Sequence, residues 1–346
     1  MKKRNPVVDI IKLIAAYCII CLHFSFPGWF GKIIYATARF AVPFFFMVSG
    51  YYYYKSDKTV QYKSTGAKIR HIALLFFTAE FLNMAWAVVS QYNFQVSPIN
   101  NIITAFSQRI DNYQYWRALH FAPVFNYSAW FLAELIVVYA IFALITKFSL
   151  LRVAKYVAIV SYVLGFLALR ICYLADISLF PFFDYVVLFM GFPFFSLGYY
   201  LKESNFVPKK MKNPYLCGGL LILGAVMSCI EKPMFPVATV YLGSLLIIFV
   251  LFSIFVNYGD DFKETKISKL LSYMGNKLGL YIYILHPFLG GLIERIVDVI
   301  TKEAWIDYLT PVFICIVSTV VSFVVFPVND AIAKKLREIK SKKAAA

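Results

Sequence analysis

The sequence is poor in charged residues, and acidic residues are the scarcer kind. Only 15% of the 346 residues are Asp, Glu, Lys or Arg, and 18 acidic side chains stand against 34 basic ones. An ordinary soluble domain carries about 25% charged residues and about 45–50% apolar ones. Here 61% are apolar, which is more than a soluble chain could hide from water. The composition therefore excludes an ordinary soluble enzyme and a disordered protein.

Cysteine is also scarce, and its positions exclude two further classes of protein. All six cysteines fall inside apolar stretches, without metal-ligand spacing and without paired positions in loops. They are Cys18, Cys21, Cys172, Cys217, Cys229 and Cys315. We interpret them as free thiols of a core, so that neither a disulfide scaffold nor a metal site is expected. A cleavable signal peptide is also not expected, because the first apolar run lacks a small-residue cleavage site.

What the sequence does contain is a series of long apolar runs. A membrane-spanning helix needs about 20 mostly apolar residues, and these runs are too long and continuous for barrel strands. We therefore predict an all-α, polytopic integral membrane protein of about ten helices, with residues 1–346 forming one transmembrane domain. The predicted spans are roughly 7–26, 33–54, 71–90, 127–146, 156–174, 184–201, 214–231, 236–256, 278–294 and 308–330.

The basic residues lie between the spans and favour one side of the membrane. With the N-terminus inside, 25 of the 34 fall in cytoplasmic segments and 6 in outer segments. This asymmetry predicts that both termini are cytoplasmic. It also indicates that the net charge of +16 is that of a multi-pass membrane protein and not of a protein that binds nucleic acid. The longest outer segment, 91–126, is interpreted as an interfacial loop or short helix, with a lid as the alternative.

Ionisable side chains inside the predicted spans are the candidates for function, because such groups are costly in lipid and usually face an interior cavity. They are Lys12, His23, Arg39, Glu80, Glu134, Arg170, Glu231 and His286. Salt bridges that only hold the bundle together are the structural alternative for this set.

The first predicted span places Lys12 and His23 on one face. Eleven steps of about 100° bring the two side chains to within about 20° of each other, about 16 Å apart along the helix axis. Asp9 lies one turn before Lys12 and is placed to pair with it. We predict a catalytic or ligand-binding role for His23.

The second predicted span contains Arg39 near its outer end, followed by Pro43, Ser49 and Gly50. A guanidinium at that position could orient a carboxylate or a glycan oxygen. The glycine would let a neighbouring helix approach closely. A similar proline-to-glycine pattern at 191–198 suggests a duplicated packing element.

Together these motifs resemble the acyltransferase 3 family of multi-pass membrane proteins. The resemblance extends from about residue 7 to residue 330, and Lys12 stands where the family more often has arginine. It rests on Lys12 with His23, Arg39 with the Pro43–Gly50 motif, Trp130-Phe131-Leu132, Gly191-Phe-Pro193, and Leu280 to Pro287 with His286.

The resemblance implies an acyltransferase-3-like helical bundle in a bacterial-type plasma membrane. It implies transfer of an acyl group, commonly acetyl, from cytoplasmic acyl-coenzyme A as co-substrate to a hydroxyl of an extracytoplasmic glycan or cell-wall acceptor. His23 would be the general base or a transient acyl carrier, and Arg39 would position or stabilise charge. Lys12 and the inner basic loops would meet the coenzyme's phosphates. The other expected substrate-binding residues are Ser49, Glu134, Arg170, Glu231 and His286, without a metal.

A second interpretation comes from a branch of the same family. Residues 42–52 resemble the membrane half of vancomycin-resistance serine racemases, which is fused to a cytoplasmic racemase domain. The three alanines at 344–346 look like an artificial end, so such a domain is expected after residue 343. This protein would bind and import L-serine, with its carboxylate on Arg39 or Arg170 and its ammonium on Glu134 or Glu231. A third hypothesis, a non-catalytic membrane anchor, does not explain the buried charges.

Overall fold

The chain folds into a bundle of α-helices. The computed structural model describes residues 5–92, 95–111, 123–177, 189–236, 238–259, 261–300, 303 and 305–345, and within these ranges it contains no strand. The helices are α1 (Pro6–His23), α2 (Gly28–Ala38), α3 (Ala41–Tyr53), α4 (Lys58–Ser90), α5 (Pro98–Asp111), α6 (Trp130–Lys147), α7 (Leu151–Leu174), α8 (Gly191–Glu203), α9 (Pro214–Met234), α10 (Leu242–Tyr258), α11 (Lys266–Tyr273), α12 (Gly279–Ile300) and α13 (Ile306–Ala345).

Eight helical stretches in the described ranges are long and apolar enough to cross a membrane. The chain is therefore an all-α, multi-pass membrane protein, as the sequence predicts. Two predicted spans correspond to shorter helices: 236–256 to α10, and 184–201 to α8, with residues 184–188 outside the described residues. The count of ten spans stays a prediction.

The outer surface of the bundle is apolar. Leu74, Phe77 and Phe81 of α4 are 60%, 66% and 63% exposed, and they recur every three to four residues along one side of that helix. This spacing places them on one helix face, which would be unfavourable in water and is favourable against acyl chains. In the outer segment 91–126, helix α5 is present, whereas residues 93–94 and 112–122 lie outside the described residues.

Helices α3 and α8 pack side by side in the centre of the bundle. They run in the same direction, since Phe46 lies against Gly191 and Tyr51 accepts a hydrogen bond from Lys202. A Cβ atom added at Gly50 would overlap the Phe195 carbonyl oxygen, so only glycine permits this approach. The two proline-to-glycine motifs therefore pack against each other in one helix–helix contact.

The second predicted span, 33–54, is broken into two helices. Helix α2 ends at Ala38 and α3 begins at Ala41. Pro43 explains the break, because a proline cannot donate to the carbonyl four residues earlier and its ring crowds that carbonyl, here the one of Arg39. Arg39 consequently stands at the C-cap of α2, where its side chain can leave the helix surface.

Candidate functional site

His23 is the last residue of α1, and it lines a polar cavity of about 400 Å³. The cavity lies between the end of α1, the end of α12 and the start of α13. Three carboxylates share its lining: Glu294 and Asp298 on α12, and Asp307 on α13. The histidine that the sequence singles out is therefore reachable from a polar space, and a substrate can approach it there.

His286 of α12 lies beside His23. The ring centroids are 5.4 Å apart and the planes are tilted by 35°. His286 is fully buried, and Phe24 meets it edge-on at a centroid distance of 6.3 Å. The structure thus brings together two imidazoles, one facing the cavity and one enclosed behind it, although they are 263 positions apart in the chain.

The hydrogen bonding of His286 fixes its tautomer. Its Nδ1 lies 2.6 Å from the Tyr283 carbonyl oxygen, and because a carbonyl can only accept, Nδ1 carries the proton. That carbonyl is available because Pro287, four residues later, has no N–H to donate to it. Nε2 of the neutral ring is then left as an acceptor, and it has no hydrogen-bond partner among the described residues.

Behind His286 stands a second layer formed by Tyr283 and Glu134. The Tyr283 hydroxyl donates to the carbonyl of Ser128, just before α6. Glu134 of α6 is buried within electrostatic range of Tyr283, and a Cβ added at Gly191 would lie 3.0 Å from its Oε2. Glu134 therefore lies behind the histidine pair, next to Tyr283, and does not line the cavity.

Glu80, a carboxylate on α4, holds in place the backbone segment that precedes α6. Its Oε2 accepts hydrogen bonds from the backbone N–H groups of Val124 and Phe125 at 2.8 and 3.0 Å, and its Oε1 accepts one from Asn126 at 2.9 Å. Charge-assisted bonds of this kind are strong, so one carboxylate fixes the segment that leads into α6.

Arg39 reaches the same end of the bundle as His23 and lies within electrostatic range of it. One of its terminal nitrogens donates to the Tyr35 hydroxyl, and its guanidinium carbon stands 4.7 Å from the Tyr35 ring centre. Its Nε is buried and has no hydrogen-bond partner in the described part of the chain. His23, His286 and Arg39 are therefore the predicted residues that the fold assembles.

Two further predicted residues lie elsewhere along their helices. Lys12 is on α1 with His23, and its Nζ lies 2.7 Å from Asp9 Oδ1, which confirms the pairing expected from their spacing. Ser49 lies on α3 close to the buried Tyr139, ten residues after Arg39 in the chain.

Arg170 and Glu231 bind each other. Arg170 Nη2 lies 2.9 Å from Glu231 Oε1, and Glu231 Oε2 accepts from the backbone N–H of Gly243 at 3.2 Å. The Arg170 guanidinium also stacks 3.4 Å from the centre of the Phe166 ring. This pair ties α7 to α9 and to the first turn of α10, which is the structural role that the sequence left open for it.

The sequence interpretation missed the acidic lining of the cavity. Glu294 and Asp298 lie four residues apart and so share one face of α12, a spacing that could have revealed them. Asp298 lies beyond the predicted span 278–294 and Glu294 is its last residue, so neither was counted among the intramembrane groups. Among the described residues, no three His, Cys, Asp or Glu side chains are close enough to hold a metal ion.

Comparison with known protein families gives a match over most of the chain. Residues 5–326 match the family model described as an acyltransferase domain, acyltransferase 3, which covers nearly the whole chain. No curated protein and no solved structure matches the sequence.

Proposed function

The chain belongs to the acyltransferase 3 family of membrane acyltransferases, and from this membership we propose that it moves an acyl group, commonly acetyl, from cytoplasmic acyl-coenzyme A to a hydroxyl of an extracytoplasmic glycan or cell-wall acceptor. The observation that carries the proposal is the His23–His286 pair, which opens onto a polar cavity at one end of the bundle. Such a pair can move a proton at a place that an acceptor can enter.

In the proposed reaction, His23 removes the proton from the acceptor hydroxyl. The oxygen forms a bond to the thioester carbonyl carbon, the carbon–sulfur bond breaks, and the proton passes from His23 to the leaving sulfur of the coenzyme. Arg39 lies close enough to His23 to stabilise the negative charge that develops on the carbonyl oxygen. His286 acts as a positioning residue, since its Nε2 can accept a hydrogen bond beside His23.

The donor must reach His23 from the opposite end of the bundle. Lys12 lies on α1 between that end and His23, but its charge is already paired with that of Asp9. We therefore assign the coenzyme's phosphates to the exposed basic residues near the start of α4, such as Lys63, and not to Lys12 alone.

The proposal can be tested with the purified full chain in lipid nanodiscs. We expect acetyl-coenzyme A to bind in calorimetry and coenzyme A release to depend on added peptidoglycan fragments. His23→Ala should lower this transfer by about 10²–10⁴-fold and leave donor binding intact. His71→Ala, which alters an exposed histidine of α4, is the matched control and should behave as the unaltered protein. Absence of acetyl-coenzyme A binding would contradict the donor assignment.

One observation favours a second candidate, the binding and import of L-serine. Arg39 lies within electrostatic range of His23 and three carboxylates line the cavity that His23 faces, so both charges that a zwitterion requires are near His23. Because Arg170 and Glu231 bind each other, the amino-acid carboxylate is assigned to Arg39 and the ammonium to Glu294 or Asp298. Proteoliposomes that contain the protein should then accumulate labelled L-serine, and those that contain Arg39→Ala should not. If proteoliposomes with the unaltered protein take up no L-serine, the import function is excluded.

A further inference from the structure

Positive charge is concentrated on the Arg39 side of His23. Lys32, Arg39 and Lys232, which we call the cationic cluster, lie on α2, at its C-cap and on α9. The Lys232 Nζ stands 4.2 Å from the centre of the Tyr35 ring, the same ring that the Arg39 guanidinium contacts at 4.7 Å. Lys32 lies within electrostatic range of Lys232, as does Arg39. Two cations thus meet at one tyrosine ring, and a third, Lys32, lies near Lys232.

The cluster has no matching carboxylate in the described part of the chain. The ion pairs found there involve other cations, namely Lys12, Lys58 and Arg170. Glu231 is a nearby acid, but its oxygens are already used by Arg170 and by the Gly243 backbone. Like charges so close together repel each other, particularly away from bulk water. A negative group placed among them would remove that repulsion.

Two buried hydrogen-bond donors at the cluster also lack partners among the described residues. They are Nε of Arg39 and the hydroxyl of Tyr241. Tyr241 is fully buried just before α10, within electrostatic range of Arg39 and Tyr35. Buried donors are nearly always hydrogen-bonded, because leaving them unpaired is costly. Both donors call for an oxygen-bearing ligand.

We propose that Lys32, Arg39, Lys232 and Tyr241 form an anion-binding site beside His23, which takes a carboxylate or phosphate group of the acceptor. The unpartnered Nε of Arg39 donates to the oxyanion and leaves a terminal nitrogen for the reacting carbonyl; Lys232 adds a point charge, and the Tyr241 hydroxyl donates a hydrogen bond. The anion site rests on its own geometry; only its assignment to the acceptor rests on the proposed acyl transfer.

The acidic lining of the cavity at His23 supports this placement. Glu294, Asp298 and Asp307 repel an anion from the α12 and α13 side, whereas the cationic cluster attracts it to the α2 and α9 side. An acceptor held by its anionic group at the cluster would therefore be oriented across His23. The acceptor class that fits is an acidic one and not a neutral sugar.

The test measures anion binding without any acyl donor. The full chain in nanodiscs is titrated with inorganic phosphate and with acetate, at an ionic strength kept constant with chloride. We expect at least one of the two anions to bind more tightly than chloride. Lys232→Met should weaken that binding about tenfold, and Tyr241→Phe about threefold. Lys263→Met removes the same charge from an exposed position remote in sequence and is the matched control, with binding unchanged.

The outcomes separate the anion site from the proposed function. If neither anion binds better than chloride, or if Lys232→Met binds as tightly as the unaltered protein, the site does not exist, whatever the acyl-transfer assay shows. In that assay, the bound anion should raise KM for the acceptor and leave KM for acetyl-coenzyme A unchanged. A rise in KM for acetyl-coenzyme A instead would assign the site to the donor's phosphates and overturn its assignment to the acceptor.

Discussion

Pro287 removes one backbone N–H from α12, and His286 uses the carbonyl oxygen that is left over. In an unbroken helix the N–H of residue 287 would bond to the Tyr283 carbonyl, where the His286 Nδ1 now lies at 2.6 Å. The proline therefore determines which nitrogen of His286 carries the proton. This explains in physical terms why histidine and proline stand next to each other in the motif.

Restoring the missing N–H should disturb the site without unfolding the protein. In Pro287→Ala, the new N–H competes for the Tyr283 carbonyl, and His286 is no longer held in one tautomer. We expect kcat for acyl transfer to fall by about tenfold or more, whereas stability should stay the same or rise, because proline is the least favourable residue inside a helix. Enzyme kinetics and thermal unfolding measure the two effects separately.

Pro327→Ala in α13 is the control for this substitution, since it also removes a proline from a helix interior. Its activity should equal that of the unaltered protein. A Pro287→Ala protein with full kcat would show that the tautomer of His286 has no part in the reaction.

At the scale of single residues, local contacts were predictable and distant ones were not. The pairing of Lys12 with Asp9 follows from helical spacing, and the placement of His23 at the end of α1 follows from the length of the span. The bond between Arg170 and Glu231 joins residues 61 positions apart, and nothing in their local sequence distinguishes an ion pair from two binding groups. Only the packing of α7 against α9 decides between them.

Helices α3 and α8 depend on a close approach of their backbones. At Gly50 an added Cβ would overlap the Phe195 carbonyl oxygen, and at Gly198 it would overlap that of Met47. In lipid such contacts are a main source of helix association, because there is no hydrophobic force between helices. The two glycines therefore hold α3, which follows Arg39 in the chain, against α8, whose Gly191 lies beside Glu134.

We expect Gly50→Ala to destabilise the bundle by about 1–3 kcal/mol, since the methyl group cannot be accommodated without a backbone shift. Gly218→Ala in α9 is the matched control, because an added Cβ there meets nothing within 4 Å. That control should be neutral or stabilising by up to about 1 kcal/mol. Thermal unfolding in detergent compares the two, and equal unfolding temperatures would mean that the α3–α8 contact is not tight.

At the scale of helices, the long apolar runs were predictable because length and hydropathy alone define them. The breaks were harder to predict. The division between α2 and α3 at Arg39 requires weighing Pro43 against a continuous apolar pattern, and the π-helical turn at Met274–Leu278 leaves no trace in hydropathy. The short helices α8 and α10 owe their stability to neighbours and not to their own length.

The molecule as a whole has two chemically different ends. At one end Asn5 donates to the Phe255 carbonyl, Tyr258 to that of Lys212, and Tyr200 to that of Leu151, so the connections rich in basic residues gather around the start of α1. At the other end lie His23 and the acidic cavity.

This polarity predicts the orientation in the membrane. Basic connections remain on the cytoplasmic side, so the His23 end should face outward. A membrane-impermeant maleimide added to intact bacterial cells should label Arg295→Cys, near the end of α12, and should label Lys263→Cys only after permeabilisation. The unaltered protein gives the background, because its six cysteines lie within helices. Labelling of Lys263→Cys but not Arg295→Cys in intact cells would place His23 inside, where an extracytoplasmic acceptor could not reach it, and acyl transfer across the membrane would then be the wrong reaction for this protein.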